Sequence, residues 1–252
     1  KEMGATTEFT ATESGQALQY MAMAGWKADQ MISGLPGIMN LASASGEDLG
    51  KVSDIVTDAL TAFGMKAGEA GHFADVLAVA SSNANTDVAM MGATFQKVAP
   101  VAGALGYSVE DMSLGIGLMA NASIKAEVAG TSLKTALSNM AKPTKQMKAY
   151  MDKYGISLTN TDGSMKSFAE VVDNLRNSLG GLSQVEQVAA ATAIFGKESY
   201  AGMLAIVNAS EEDFNKLSDS VNNAKDAAER MAAIKLDNLE GDITLMKSAL
   251  DG

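Results

Sequence analysis

The sequence predicts an all-α protein. It reads as a multi-helix domain of short, Gly-punctuated helices with one small hairpin or loop insertion and a long C-terminal helix. Three observations carry this. Apolar residues make up 47% of the 252, yet aromatics only 5%, and 17 are Met. Small residues and flexible Met side chains suit closely spaced helices. Helix starts are marked next: Ser45/Asp48, Ser108/Asp111, Ser167/Glu170, Ser183/Glu186 and Ser210/Asp213 each pair a hydroxyl with an acid three positions on. Such a capping box satisfies two orphan N–H groups at a helix N-terminus. Helix stops are marked as well. Phe63-Gly-Met65, Leu105-Gly-Tyr107 and Tyr154-Gly-Ile156 set Gly between two apolar residues, the pattern of a left-handed cap with a hydrophobic contact across it.

Taken in order, these signals predict helices near 14–33, 38–44, 46–63, 67–82, 87–105, 109–122, 126–141 and 144–154. Ile156-Ser-Leu-Thr alternates and Thr161-Asp-Gly163 is a turn signal, so 156–166 reads as a small hairpin or extended loop. Helices resume near 168–179, 184–195 and 198–208, and a long last helix covers about 211 to 250. Ala62-Phe-Gly-Met and Ala104-Leu-Gly-Tyr, 42 residues apart, suggest a repeated helix-turn-helix layer. In the last helix Phe214, Leu217, Val221, Ala224, Ala228 and Met231 form one stripe, and Leu236, Leu239, Ile243, Met246 and Leu250 another. Both step by three and four, with a register slip between them, which is heptad spacing with a discontinuity. The second stripe is the candidate self-association seam. The chain divides as 1–13, an N-terminal linker or the end of a preceding helix; 14–209, a helical core domain; and 210–252, a helix leading toward a coiled-coil rod.

Composition excludes several functions. The formal net charge is −11 and the sequence holds no basic cluster, so no direct nucleic-acid site or anionic-membrane surface is expected. The absence of Cys removes disulfides and thiolate sites. The most apolar runs are too short and too broken to span a bilayer. The chain opens on Lys1 and ends inside a periodic pattern, which reads as a piece of a longer protein.

No constellation points to catalysis. His72 is the single histidine, with Asp75 one turn away, and no Gly-x-Ser-x-Gly elbow accompanies it. One His and no Cys leave zinc without ligands. Asn160-Thr-Asp-Gly163 is a fragment of a calcium loop without its closing Glu, and reads as a turn. Glu47/Asp48, Glu110/Asp111 and Glu211/Glu212/Asp213 fall in first helical turns, where the helix dipole favours negative charge. No catalytic, cofactor or metal residue is therefore expected. Gly115-Ile-Gly117 and the Met-rich faces (Met21, Met23 and Met31; Met90 and Met91; Met112 and Met119) read as helix contacts, with a partner-helix surface as the other reading of the Met faces.

The stretch Ala122-Ser-Ile-Lys-Ala-Glu-Val-Ala-Gly-Thr-Ser-Leu-Lys134 resembles a signature of the phage tail tape measure protein core region, carried by Ala129, Gly130, Thr131 and Leu133. Ala22-Met-Ala-Gly-Trp26, Val52 to Gly64, Ser82-Asn-Ala-Asn85, Val98 to Gly106 and Leu118-Met-Ala-Asn121 also resemble that family, in its order. The resemblance implies a structural, non-enzymatic part of the protein that sets tail length during assembly and occupies the tail tube until genome ejection. It implies tail tube, tail assembly chaperone and baseplate or tail-tip proteins as partners, and a place in the virion tail and, during assembly, the bacterial host cytoplasm; self-association in the parent is expected from the second stripe. Gly130-Thr-Ser-Leu133 is either a close helix crossing or an oligomer contact. A helical scaffold module of a phage-tail-like injection system and a peptidoglycan-hydrolase-associated domain are the alternatives.

Overall fold

The Gly turns decide where the chain reverses. Gly64, Gly106 and Gly155 have φ of 71°, 80° and 65°. The N–H groups of Met65, Tyr107 and Ile156 reach back across them to the carbonyls of Leu60, Ala102 and Met151 at 2.9, 3.0 and 2.9 Å. These six-to-one bonds satisfy carbonyls that a helix end leaves open. Gly25, at φ 82°, acts likewise: the Trp26 N–H bonds the Met21 carbonyl at 3.0 Å.

The computed structural model describes residues 7–251. Among them lie fourteen α-helices: α1 Ala11–Met23, α2 Ala28–Ser45, α3 Leu49–Phe63, α4 Ala70–Asn83, α5 Val88–Leu105, α6 Val109–Asn121 and α7 Ala126–Ala141, then α8 Lys145–Tyr154, α9 Phe168–Leu179, α10 Gln184–Phe195, α11 Tyr200–Val207, α12 Glu211–Asn222, α13 Ala227–Leu236 and α14 Leu239–Asp251. A 3₁₀ turn, Ala67–Glu69, leads into α4. The expected hairpin is present in minimal form. Thr159 and Met165 make one antiparallel bridge, closed by Asn160 N–H to the Ser164 carbonyl at 2.8 Å.

The helices form two rows. α1, α3, α5 and α7 lie each against the next in one row, and α2, α4 and α6 in the other. The echo between residues 62 and 104 is thus one layer repeated, since α3–α4 and α5–α6 are consecutive hairpins with the same capped turn. α10 and α11 extend the first row by docking on α7, and α12 and α13 fold back over α4. Phe73, Phe95, Phe168 and Phe195 are fully buried, and Phe63 and Phe73 meet Phe95 at ring distances of 5.7 and 5.6 Å. Met21, Met91, Met112 and Met119 are core, whereas Met23 and Met90 are exposed.

Four expectations need correction. The helix pair 14–33 and 38–44 is in fact broken at Gly25, and α2 runs unbroken through Pro36. Pro36 faces solvent, so the bond it cannot donate is lost at a wet face rather than in the core. Ser45 does not cap the third helix: it ends α2, its hydroxyl donating to the Leu41 carbonyl at 2.7 Å, and Asp48 accepts the Lys51 N–H instead. Ser210 caps α12 through the Asp213 N–H at 3.0 Å, but only the Ser108, Ser167 and Ser183 pairs form the reciprocal box as expected. The long last helix is three helices. Asn223 ends α12, its amide covering the Asp219 carbonyl, and Asp226 turns the chain at φ 57°. Asn238 then separates α13 from α14 and accepts the Gly241 N–H at 2.9 Å.

Candidate functional site

The family-like segment forms a helix crossing. Ala129, Gly130 and Leu133 are buried on α7, which packs on α5, while Thr131 faces outward. A Cβ on Gly130 would stand 2.6 Å from the Thr94 carbonyl oxygen and 3.1 Å from its Cα. The two backbones therefore approach as closely as glycine permits. Thr94 is fully buried, and its hydroxyl lies 2.9 Å from the Ala126 carbonyl and 3.0 Å from that of Met90. Ser132 donates to the Ser199 carbonyl at 3.1 Å, and Asn139 to the Phe195 carbonyl at 2.9 Å. This one helix thus holds α5, the end of α10 and the start of α11. Gly117 makes room for a side chain instead of a backbone, since its Cβ would lie 2.3 Å from Cδ2 of Leu217 in α12.

The candidate chemistry of His72 and Asp75 separates in space. His72 Nε2 meets Glu110 Oε1 at 2.5 Å, joining α4 to α6 at the surface. Asp75 points elsewhere: its two oxygens accept the N–H groups of Asp226 and Ala228 at 2.8 and 2.9 Å. It therefore caps α13 from a helix 151 residues earlier, a role no local spacing signals.

The paired carboxylates lie at helix N-termini. Asp111 accepts from the Ser108 N–H at 3.0 Å and, with its other oxygen, from the Phe168 N–H at 3.1 Å. The Ser167 N–H and hydroxyl hold Glu170 below the usual carboxylate range, and the Ser183 hydroxyl and N–H do so for Glu186. Tyr107 is the opposite case. Burial, reinforced by the Asp111 charge, pushes its phenol up to about 12. In the 160–163 turn, Asp162 accepts the Ser164 N–H and hydroxyl at 2.9 and 2.7 Å. Among the described residues no group of three or more His, Cys, Asp or Glu is placed to hold a metal ion, and no helix is long and apolar enough to cross a membrane.

The two C-terminal stripes differ in fate. Phe214, Leu217, Val221, Ala224 and Ala228 are buried in the core, against α4 and α6 on α12's side. In the candidate seam Leu236 is half-buried, and Ile243 and Met246 are 41% and 58% exposed. The side chains of Leu239 and Leu250 lie outside the described residues.

Comparison with known proteins agrees with this scaffold-like arrangement. Residues 1–196 match the phage-related minor tail protein family. The chain is 37% identical over 250 residues to the tape measure protein of Pneumococcus phage Dp-1, covering 99% of this chain and 22% of that protein. It is 24% identical over 257 residues to the probable tape measure protein of Escherichia phage P2, covering 100% of this chain and 31% of that one. The chain thus spans less than a third of the length of either relative. No solved structure matches. With a family match over most of its length, the chain belongs to the phage-related minor tail protein family, and along that length it is similar to tape measure proteins.

Proposed function

We propose that this chain is the folded core of a protein that sets tail length during assembly and occupies the tail tube until genome ejection. The observation that carries the reading is the end-to-end similarity to a tape measure protein. A helix rises about 1.5 Å per residue, so a helical rod measures by residue count. The core's part is structural, which accords with Asp75, Asp111, Glu170 and Glu186 accepting the N–H groups of helix starts. Its partners are the tail tube, the tail assembly chaperone and the baseplate or tail-tip proteins, met first in the bacterial host cytoplasm and then in the virion. The stripe of Leu236, Leu239, Ile243, Met246 and Leu250 begins a self-association seam that continues into the rod, which accords with the exposure of Ile243 and Met246. The test is tail length by electron microscopy in phage whose parent gene carries in-frame changes in its rod. Length that tracks residue count supports the reading. Length that ignores such changes overturns it.

A further inference from the structure

The first and last described elements of the chain touch. Phe9 is buried, and its carbonyl accepts the Ser248 hydroxyl at 2.8 Å, a contact between residues 239 apart. Phe9, Met39, Ser43, Ala232 and Leu236 line one cleft, so the segment before α1 lies against α2 and α13 together. Three further ties hold α13 in place. Ala228 and Ala232 are buried, and α13 sits on α2 and α4. Asp75 caps its first turn. At its other end the Lys235 ammonium lies over Gly46, so close that a Cβ there would meet it at 2.5 Å. That sets a cation at the C-terminus of α2, where the helix dipole favours it.

We infer that this domain is a closed node in its parent: the flanking segments leave side by side, and the folded domain adds essentially no length to the ruler. The inference rests on the tape measure reading and divides the ruler's work within it. As one continuous helix, 239 residues would span about 360 Å. Folded, the same residues separate their ends by little more than a hydrogen bond. Length would then be counted by the segments outside the node. Tension applied across the ends would peel the Phe9 segment and α14 before it reached the two rows.

The chain has no Cys, so paired labels can be placed cleanly. Spin labels on a Glu8→Cys/Lys247→Cys variant should lie within about 20 Å, the reach of two label side chains across one contact. A disordered chain of this length would separate them by about 85 Å. A folded-state distance above about 40 Å would overturn the node, because rod segments could then enter and leave at opposite sides. In the parent phage, deleting residues 10–247 in frame should leave tail length unchanged, whereas shortening by about 360 Å overturns the inference. Where the deleted chain builds no tails, a tandem second copy of residues 7–251 is measured instead. Unchanged tails support the node, and tails longer by about 370 Å sink it. A deletion of equal length in a flanking segment separates the two ideas. Tails that ignore it defeat the tape measure reading, and the label distance then decides the node alone.

Discussion

Replacing Gly130 by Ala pits two effects of opposite sign against each other. In a helix interior Ala is favoured over Gly by about 1 kcal/mol. At Gly130 the new methyl meets the Thr94 carbonyl oxygen at 2.6 Å and the Lys97 Cβ at 2.8 Å. An ordinary contact needs about 3.5 Å, and a backbone carbonyl cannot rotate away, so α5 and α7 must move apart by about 1 Å. Overpacking of that kind costs about 1–3 kcal/mol, and the shift also stretches the bond from Thr94 to Ala126. The expected net effect is a loss of about 0–2 kcal/mol. Gly15, exposed in α1 with nothing within 4 Å of its would-be Cβ, is the control. There Ala should stabilise by about 0.5–1 kcal/mol. Urea unfolding followed by circular dichroism reads both. If Gly130→Ala is as stable as Gly15→Ala, the close crossing is not what this glycine serves.

Asp75→Ala should cost about 1–2 kcal/mol, the usual worth of a helix cap, and should speed hydrogen exchange at Asp226 and Ala228 before the rest of the chain; uniform exchange would refute the capping role. Tyr107 has a folded pKa raised to about 12, so its stabilising contribution is complete below about pH 10 and fades between about 10 and 12. Tyr107→Phe should flatten that alkaline loss, and because the phenol has no hydrogen-bond partner among the described residues it should cost little near neutral pH. Glu170 is lowered, so its contribution is present above the unfolded value of about 4.3 and is lost as acid titrates the folded carboxylate. Glu170→Gln should therefore lose stability at about pH 7 but resemble the parent chain at about pH 2, and equal midpoints at neutral pH would contradict this. For the seam, a Leu239→Asp/Ile243→Asp variant of a chain extended past Gly252 should sediment as a smaller species than the unsubstituted extended chain, and equal association would make the stripe incidental.

What the sequence made legible was set by local chemistry. α7, α9 and α10 begin and end where expected, and for α9 and α10 a Ser hydroxyl and its Glu three residues on mark the start. The capped turns at Gly64, Gly106 and Gly155 were equally plain, since only glycine takes that backbone freely. The breaks in the last helix were weaker signals: Asn223 and Asn238 cap as side chains, inside an apolar spacing that ran on past them. Pro36 sits inside α2 on its solvent face, and the face a proline occupies, which decides whether a helix tolerates it, is set by packing. The roles of Asp75, Glu110 and Ser132 could not be read locally, as their partners lie 151, 38 and 67 residues away. The same holds for Gly130: a small residue in a helix can be seen, but not the carbonyl of Thr94 against which it rests.

The two bonds of Asp111 bear on the order in which the chain assembles. One oxygen serves the start of α6, and the other serves the start of α9, 57 residues later. The Tyr107 ring, just before α6, meets the buried Phe168 ring edge-on at 5.9 Å, so the same junction joins both helices through their side chains as well. α9 thus finds an acceptor and a ring waiting only after α6 has docked. Synthesis delivers the acceptor and the ring before it delivers α9, so the start of α9 has its partners already made when it leaves the ribosome.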